Sequence, residues 1–430
     1  MAVGTEPVNL MPRDRGKSPA LEIDTESSPP LRHEVTPRFS WGTKLNFEER
    51  LRNNRDLQES DDDLDSKTTG SLSIAGLFLS SPRIEQARWE LFTELKLERE
   101  AVYKEGQGKT EDTTRLYLKK GYIIFRDFMS PSLRLQFGRQ RFKDFREWVY
   151  DDNLDALRLI YEIDRLELQL SYSTNLFDPD EAKDEIKNLI LYGIYQAWEK
   201  DEAAFYIVDR HGDHPELNPA ASRFATTFIG FSWKGKSIKN QQYWLEAATV
   251  VGKDAGKNVS AYGFDLGWTT RLKYRFRPAF TMGYAYGSGD SNPDDNRDTT
   301  FRQTGLQDNA AKLSGVVKVE QYGEIFEPEL SNVIVKTFGF GLRPTETGSI
   351  ELVYHHFQQV QAENKLRNAG IKPNPNGKSR DLGEEIDLIL GGSISGDLRL
   401  EAVAGVFFPG PAFPGADKAY VGKIEIEFLF

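Results

Sequence analysis

The 430-residue chain has no cysteine, four methionines and five histidines. It therefore carries no disulfide framework, and the lack of thiols fits an oxidising or exposed compartment. No window approaches the roughly 18 consecutive apolar residues of a membrane helix. No HExxH, no Gly-x-Ser-x-Gly and no Walker-type loop occurs, and no serine or aspartate is patterned with a histidine, so nothing supports enzymatic chemistry. Basic residues are not in excess: 55 Lys and Arg stand against 66 Asp and Glu, a net charge of −11. With no basic stripe interleaved with aromatics, a nucleic-acid partner is not expected. The N-terminus, MAVGTEPVNLMPRDRGKSP, has no apolar h-region and is not a signal peptide. An exported chain needs one, and here it is expected to have been removed.

What the chain does have is alternation. Leu133, Leu135 and Phe137 alternate with Arg134, Gln136 and Gly138. Leu157, Leu159, Tyr161 and Ile163 alternate with Arg158, Ile160 and Glu162, and Leu166, Leu168, Leu170 and Tyr172 with Glu167, Gln169 and Ser171. Successive strand side chains point to opposite faces, so each segment has one apolar and one charged face. A soluble sandwich would need a second sheet over the apolar face. A membrane barrel needs none, because lipid takes that face and a wet lumen takes the other. The mean hydropathy of −0.54 is no obstacle, since alternating strands escape hydropathy plots.

The pattern recurs from Phe39 to Phe430 and gives 18 segments. Short corners fall near residues 81, 130, 164, 200, 236, 271, 345 and 395. Longer polar loops fall near 51–66, 104–112, 143–153, 175–186, 211–220, 252–258, 288–329, 361–381 and 409–416. The two classes alternate. The expected fold is an all-β, 18-stranded antiparallel transmembrane β-barrel over 36–430, with short periplasmic turns and long extracellular loops. Residues 1–35, rich in Pro, Ser and charge, are read as an extended or poorly ordered leader on the periplasmic side. Segment 272–287 reads as one regular strand, whereas 186–210 alternates poorly. The last segment alternates Tyr420, Gly422, Ile424, Ile426, Phe428 and Phe430 with Lys423, Glu425 and Glu427.

GRQRFKDFREWVYDDNLDALRL (Gly138 to Leu159) and GYAYGSGDSNPDDNRDTTF (Gly283 to Phe301) resemble loop-and-strand signatures of the alginate export family of outer-membrane barrels. The terminal Phe430 resembles the end read by the barrel-insertion machinery of Gram-negative bacteria. The resemblance implies a monomeric 18-stranded barrel in the outer-membrane lipid. It would pass an anionic, alginate-like polysaccharide by diffusion, with periplasmic export components as partners. The alternatives are a general or small-molecule porin unrelated to alginate, and a soluble β-rich carbohydrate-binding protein.

By alternation Lys44, Arg88, Arg134, Arg158, Arg275 and Arg277 point into the lumen. Strict alternation puts Arg139 and Arg141 on the lipid face, so they are expected to lie above the hydrocarbon or to be re-aimed by a bulge. Arg134, Arg139, Arg141, Arg146 and Arg158 lie close in sequence and are the candidates for an electropositive constriction. The plainer expectation is that lumen cations pair with lumen acids such as Glu90, Glu94, Glu162 and Glu427 and brace a wet wall. Loop KDFREWVYDDN (Lys143 to Asn153) is expected to fold inward, with Trp148 and Tyr150 either stacking on sugar rings or joining the interfacial aromatic girdle. Asp290, Asn292, Asp294, Asn296 and Asp298 offer hard oxygens at alternate positions, as a Ca²⁺ loop does, but the EF-hand glycine is absent and a solvated acidic loop is the preferred reading. No other cofactor is implied.

Overall fold

Each alternating segment pairs with the next, and the last pairs with the first. The computed structural model describes residues 28–58, 64–83, 86–105, 107–174, 176, 186–213 and 223–430. Strands β1 to β6 are Phe39–Asn53, Leu64–Leu79, Trp89–Lys104, Gly108–Phe125, Leu133–Lys143 and Asp151–Ile163. Strands β7 to β12 are Leu166–Thr174, Lys187–Trp198, Asp201–Asp213, Arg223–Gly235, Gln241–Asp254 and Lys257–Arg271. Strands β13 to β18 are Ala279–Gly287, Val333–Leu342, Gly348–Gln359, Asp381–Ser393, Leu398–Pro409 and Ala419–Leu429. All neighbours run antiparallel, and β1 closes on β18 from Lys44 opposite Leu429 to Asn53 opposite Tyr420. Closure leaves no free edge between first and last strand, as a membrane requires of a sheet. The chain is an 18-stranded antiparallel β-barrel.

The outer face follows the alternation. Leu95, Leu97, Phe137, Leu157, Leu170 and Leu191 are exposed, every second residue along their strands. Near the short-turn end aromatic pairs ring the wall: Phe39 with Phe78 at 4.2 Å, Trp198 with Trp233 at 5.4 Å, Tyr243 with Trp268 at 5.6 Å. These amphipathic rings suit the membrane boundary. An exposed apolar belt with no covering sheet removes the soluble carbohydrate-binding alternative.

Three expectations need correction. Strands reach further outward than the alternation predicts: one strand runs to Lys104 and the next begins at Gly108 where a loop is expected over 104–112, and the loop expected at 252–258 shrinks to a tight hairpin at Ala255-Gly256. The latter two take φ of 48° and 83°, as a two-residue hairpin demands. Segment 272–287 is not one strand: 272–278 is a turn, with Phe276 and Arg277 at φ of 63° and 45°, closed by the Leu272 amide donating to the Pro278 carbonyl at 2.8 Å. Alternating residues in a turn mimic a strand when the flanking strands are regular. Finally, the expected leader is not wholly outside. His33–Thr36 pairs with the start of β1, and residues 28–32 run inside the barrel; residues 1–27 lie outside the described residues.

The poor alternation of 186–210 has a physical cause. Ile190, Tyr192, Ala204, Tyr206 and Val208 face inward and are buried, while Leu189, Leu191 and Phe205 face lipid. Both faces are apolar because the inner one is covered. Residues 144–150 and 299–331 fold into the lumen, and Trp148, Phe301, Leu306, Tyr322, Phe326 and Leu330 join Tyr192, Tyr206, Phe228 and Phe357 in one core. The barrel thus has a hydrophobic core inside its lumen, in which the two inner loops pack with Leu57, Ile371 and Phe413 of other loops against wall residues from Phe142 to Val421.

Candidate functional site

The inner loops define what can pass. The first, 144–150, is wound around one carboxylate. Asp144 accepts the backbone amides of Arg146 and Trp148, both at 3.2 Å, and of Val149 and Tyr150, both at 2.9 Å. Such a concave set of amides is matched only by an anion. Glu147, at φ 55°, makes the reversal.

The second loop, 299–331, docks on the first and on the wall. Asp308 and Asn309 donate their amides to the Glu147 carbonyl at 3.0 Å, and Asp151 donates to the Leu306 carbonyl at 2.6 Å. Trp148 Nε1 donates to the Tyr322 hydroxyl at 3.0 Å, which donates to Asp265 at 3.1 Å. Asp265 also takes Arg146 at 3.1 Å and Trp244 Nε1 at 2.8 Å. Further along, Glu351 accepts the Ser314 amide at 3.0 Å and its hydroxyl at 2.7 Å. Glu385 accepts the amides of Ile325 and Phe326 at 2.8 and 2.9 Å. Gly315 is required here: a Cβ would sit 1.7 Å from a Glu351 carboxylate oxygen. Wall acids therefore hold loop backbone, and these charge-assisted bonds in a buried setting are worth more than neutral ones.

The five candidate arginines do not form one ring. Arg134 pairs with Glu162, Arg139 with Asp155 at 3.2 Å, Arg141 with Asp151 and Arg146 with Asp265. Of these five, Arg158 alone has no carboxylate in ion-pair reach among the described residues; it lies 3.7 Å over the Phe142 ring and donates to the Arg141 carbonyl at 3.4 Å. Arg139 sits opposite Asp155 in the β5–β6 register and is buried there. Lys44 pairs with Glu427. The same pairing runs round the uncovered wall: Arg50 with Glu48, Lys96 and Arg115 with Glu98, Arg399 with Glu427 and Lys423 with Glu401.

Other candidates move. Arg88 precedes β3 and is exposed at the rim, and Arg126 instead holds the buried Glu90. Arg275 and Arg277 fall in the 272–278 turn, where Arg277 reaches Glu346 of the neighbouring turn. Trp148 and Tyr150 are 2% and 3% exposed, so they neither stack on a passing sugar nor join the girdle; Trp148 stacks on Phe301 at 5.8 Å. In the 290–298 loop the side chains serve local structure: Asp290 accepts from the Asn292 amide and Thr299, and Asp298 holds Arg302. Asp290, Asp294 and Asp298 do not form a cluster of approaching carboxylates. The carboxylates that do approach one another are Glu147, Asp151 and Asp308, and Lys143 and Lys318 already hold Glu147.

Two charged regions remain. At the short-turn mouth Lys234, Lys236, Arg271, Lys312 and Arg343 crowd together; partial burial and repulsion from Arg271, Lys234, Arg343 and Lys312 lower the Lys236 ammonium. Glu202 pairs with Lys234, Asp201 accepts the Lys236 amide, and the Ser314 carbonyl takes Arg271 at 2.9 Å and Arg343 at 3.2 Å. At the long-loop end a cavity of about 370 Å³ is lined by Arg52, Arg55, Asp308, Glu320, Glu327 and Glu329, with Asn and Tyr side chains between them. Burial raises the carboxyls of Asp308, Glu320 and Glu327, and neighbouring acids add to it, Asp151 at Asp308 and Glu327 and Glu324 at Glu320.

Sequence reasoning missed the inward course of loop 299–331, the amides that Asp144 gathers in loop 144–150, and the part that Asp265, Glu351 and Glu385 play in holding the longer loop. One signal was present. A loop of this length carrying Phe301, Leu306, Leu313, Val319, Ile325, Phe326 and Leu330 is too apolar to be a solvated tether.

Comparison with known proteins agrees with this architecture. Residues 39–426 match the family described as alginate export. The alginate production protein AlgE of Pseudomonas aeruginosa is 25% identical over 378 residues, covering 75% of this chain and 76% of that protein. The protein of the same name from Azotobacter vinelandii is 28% identical over 197 residues, 40% of each. Among solved structures, Pseudomonas aeruginosa OccK11 (OpdR) superposes with a TM-score of 0.58 at 12% identity, covering 91% of this chain and 95% of that one. The outer membrane protein OprD of the same organism gives 0.56 at 10% identity, covering 93% and 94%.

Proposed function

This chain belongs to the alginate export family of outer-membrane channels, and we propose that it passes an anionic polysaccharide or oligosaccharide of the uronate class by diffusion. The observation that carries the reading is the basic cluster of Lys234, Lys236, Arg271, Lys312 and Arg343 at the periplasmic mouth. A polyanion is drawn there because like cations crowded in a partly dewatered site gain most from an incoming carboxylate. The acidic chamber at the outer end, with Asp308, Glu320 and Glu327, binds the same polymer weakly. A pore must bind well enough to admit and weakly enough to release, and a basic mouth followed by an acidic exit does both. The ion-paired wall braces the path.

Reversal potential in a salt gradient tests this. The parent is expected to prefer anions, and Lys234→Glu with Lys236→Glu to shift the ratio toward cations by about threefold, less as salt rises through about 0.15 M where screening reaches 8 Å. The outer carboxyls are raised, so they take up protons at a higher pH than ordinary acids do. Going from neutral to a lower pH removes negative charge there before it does from ordinary acids, and strengthens the anion preference. Cation preference in the parent at both pH values, unmoved by the mouth variants, contradicts the reading. A second reading, a porin for small solutes, is favoured by the ion-paired wall and predicts weak selectivity with no response to uronate chains.

A further inference from the structure

The described chain begins inside the barrel. Ser28 is 1% exposed. Its hydroxyl donates to Glu94 at 2.7 Å and accepts from Lys120 at 2.8 Å. Glu94 stands five residues into β3, about 17 Å along the strand from its short-turn end. From there the chain descends the inner wall. The Pro30 carbonyl rests on Gly42, where a Cβ would lie 1.9 Å from it. Leu31 packs on Ala75, Leu77 and Phe92. At the rim Arg32 pairs with Asp397 and donates to the Leu429 carbonyl at 3.1 Å, and His33 stacks on Trp41 at 4.6 Å.

Both partners are shaped for this contact. Pro29-Pro30 is extended and has no amide to offer a ladder, so the segment lies on the wall without becoming another strand. The wall beneath it is small, with Gly42, Ser73 and Ala75 side by side across β1 and β2. The contact is also easily undone. Where loop 299–331 is pinned by Glu351 and Glu385 through its backbone, residues 28–32 are held, among the described residues, by one hydroxyl, one aliphatic side chain and Arg32 at the rim, which pairs with Asp397 and donates to the Leu429 and Gly396 carbonyls. Departure leaves no buried charge without a partner. A bulge between Glu94 and Leu95 sets Lys119 at 3.0 Å and Lys120 at 3.8 Å from Glu94, so the acid keeps both partners when Ser28 leaves. Elements with few buried contacts open at the lowest free energy.

We propose that residues 28–32 form a detachable inner strap whose docking sets the resting width of the periplasmic half of the pore. The strap narrows the lumen beside β1 to β4, and its release widens that path without moving the pinned loops. The substrate plays no part in this, so it stands apart from the uronate reading. The test uses the full chain, which has no cysteine. Ser28→Cys reports docking through its rate of reaction with a charged maleimide, and Gly42→Leu evicts the strap sterically; deletion of residues 1–32 removes it should the leucine hinder assembly. Expected are labelling accelerated about tenfold by Gly42→Leu and single-channel conductance raised about 1.5-fold or more by either change. Faster labelling without a rise in conductance overturns the assignment of pore width to the strap. Labelling equally slow in parent and Gly42→Leu shows a permanent part of the wall and overturns detachment.

Discussion

Replacing Gln303–Pro328 by a short Gly-Ser linker is expected to raise single-channel conductance about threefold or more while the barrel stays folded. Barrels of 16 to 18 strands enclose an aqueous channel unless something fills it, and here the filling is chiefly this loop. Its ends are near each other, the Gln303 amide donating to Glu329 at 3.2 Å. The ladder from β13 to β14 runs from Ala279–Gly341 to Tyr286–Ile334 without using the loop. The barrel should therefore keep its resistance to detergent and its heat-modifiable gel mobility. The exposed faces of Tyr192, Tyr206, Phe228 and Phe357 would then meet lumen water, at the cost of that apolar burial. Unchanged conductance in a folded variant would show that the passage avoids the loop altogether.

The second large effect is expected at Asp144. Asp144→Ala strips four backbone amides of their acceptor. Each buried amide left unmade costs about 1–3 kcal/mol before relaxation, so the 144–150 loop should lose about 3–5 kcal/mol of local stability. Because Trp148 and Gln303 tie that loop to the next one, both should loosen. Hydrogen exchange at the amides of 146–150 is expected to rise by two or more orders of magnitude, with fluctuating conductance and an unchanged barrel melt. Asp144→Asn, which keeps one acceptor oxygen, should fall between. Exchange unchanged in the alanine variant would mean that the Trp148–Phe301 stack alone holds the loop.

The strands were legible because a barrel imposes a two-residue period, and Leu133 to Tyr172 or Tyr420 to Phe430 obey it along their length. Legibility failed where a second constraint overrode the first. Between 186 and 210 the inner cover erased the polar face. At 272–278 a turn copied the alternation of its flanks. The arginines show a further limit. Sequence gives the side on which Arg134 lies, but an arginine's partner depends on register and on loops distant in the chain, as with Arg146 and Asp265. Alternation places the Glu385 carboxylate on the lumen side but does not show that it holds backbone from residues about sixty positions away. The inward course of 299–331 was hinted at only by its apolar content.

The central claim is that a uronate chain enters this pore from its basic periplasmic mouth. It is tested most directly by current block in planar bilayers, with uronate oligomers and neutral oligosaccharides of equal length added to one side at a time. The account predicts that uronate oligomers block from the short-turn side at concentrations at least tenfold lower than neutral ones, and that Lys234→Glu with Lys236→Glu abolishes the difference. Equal block by charged and neutral oligomers, or block only from the long-loop side, would contradict it.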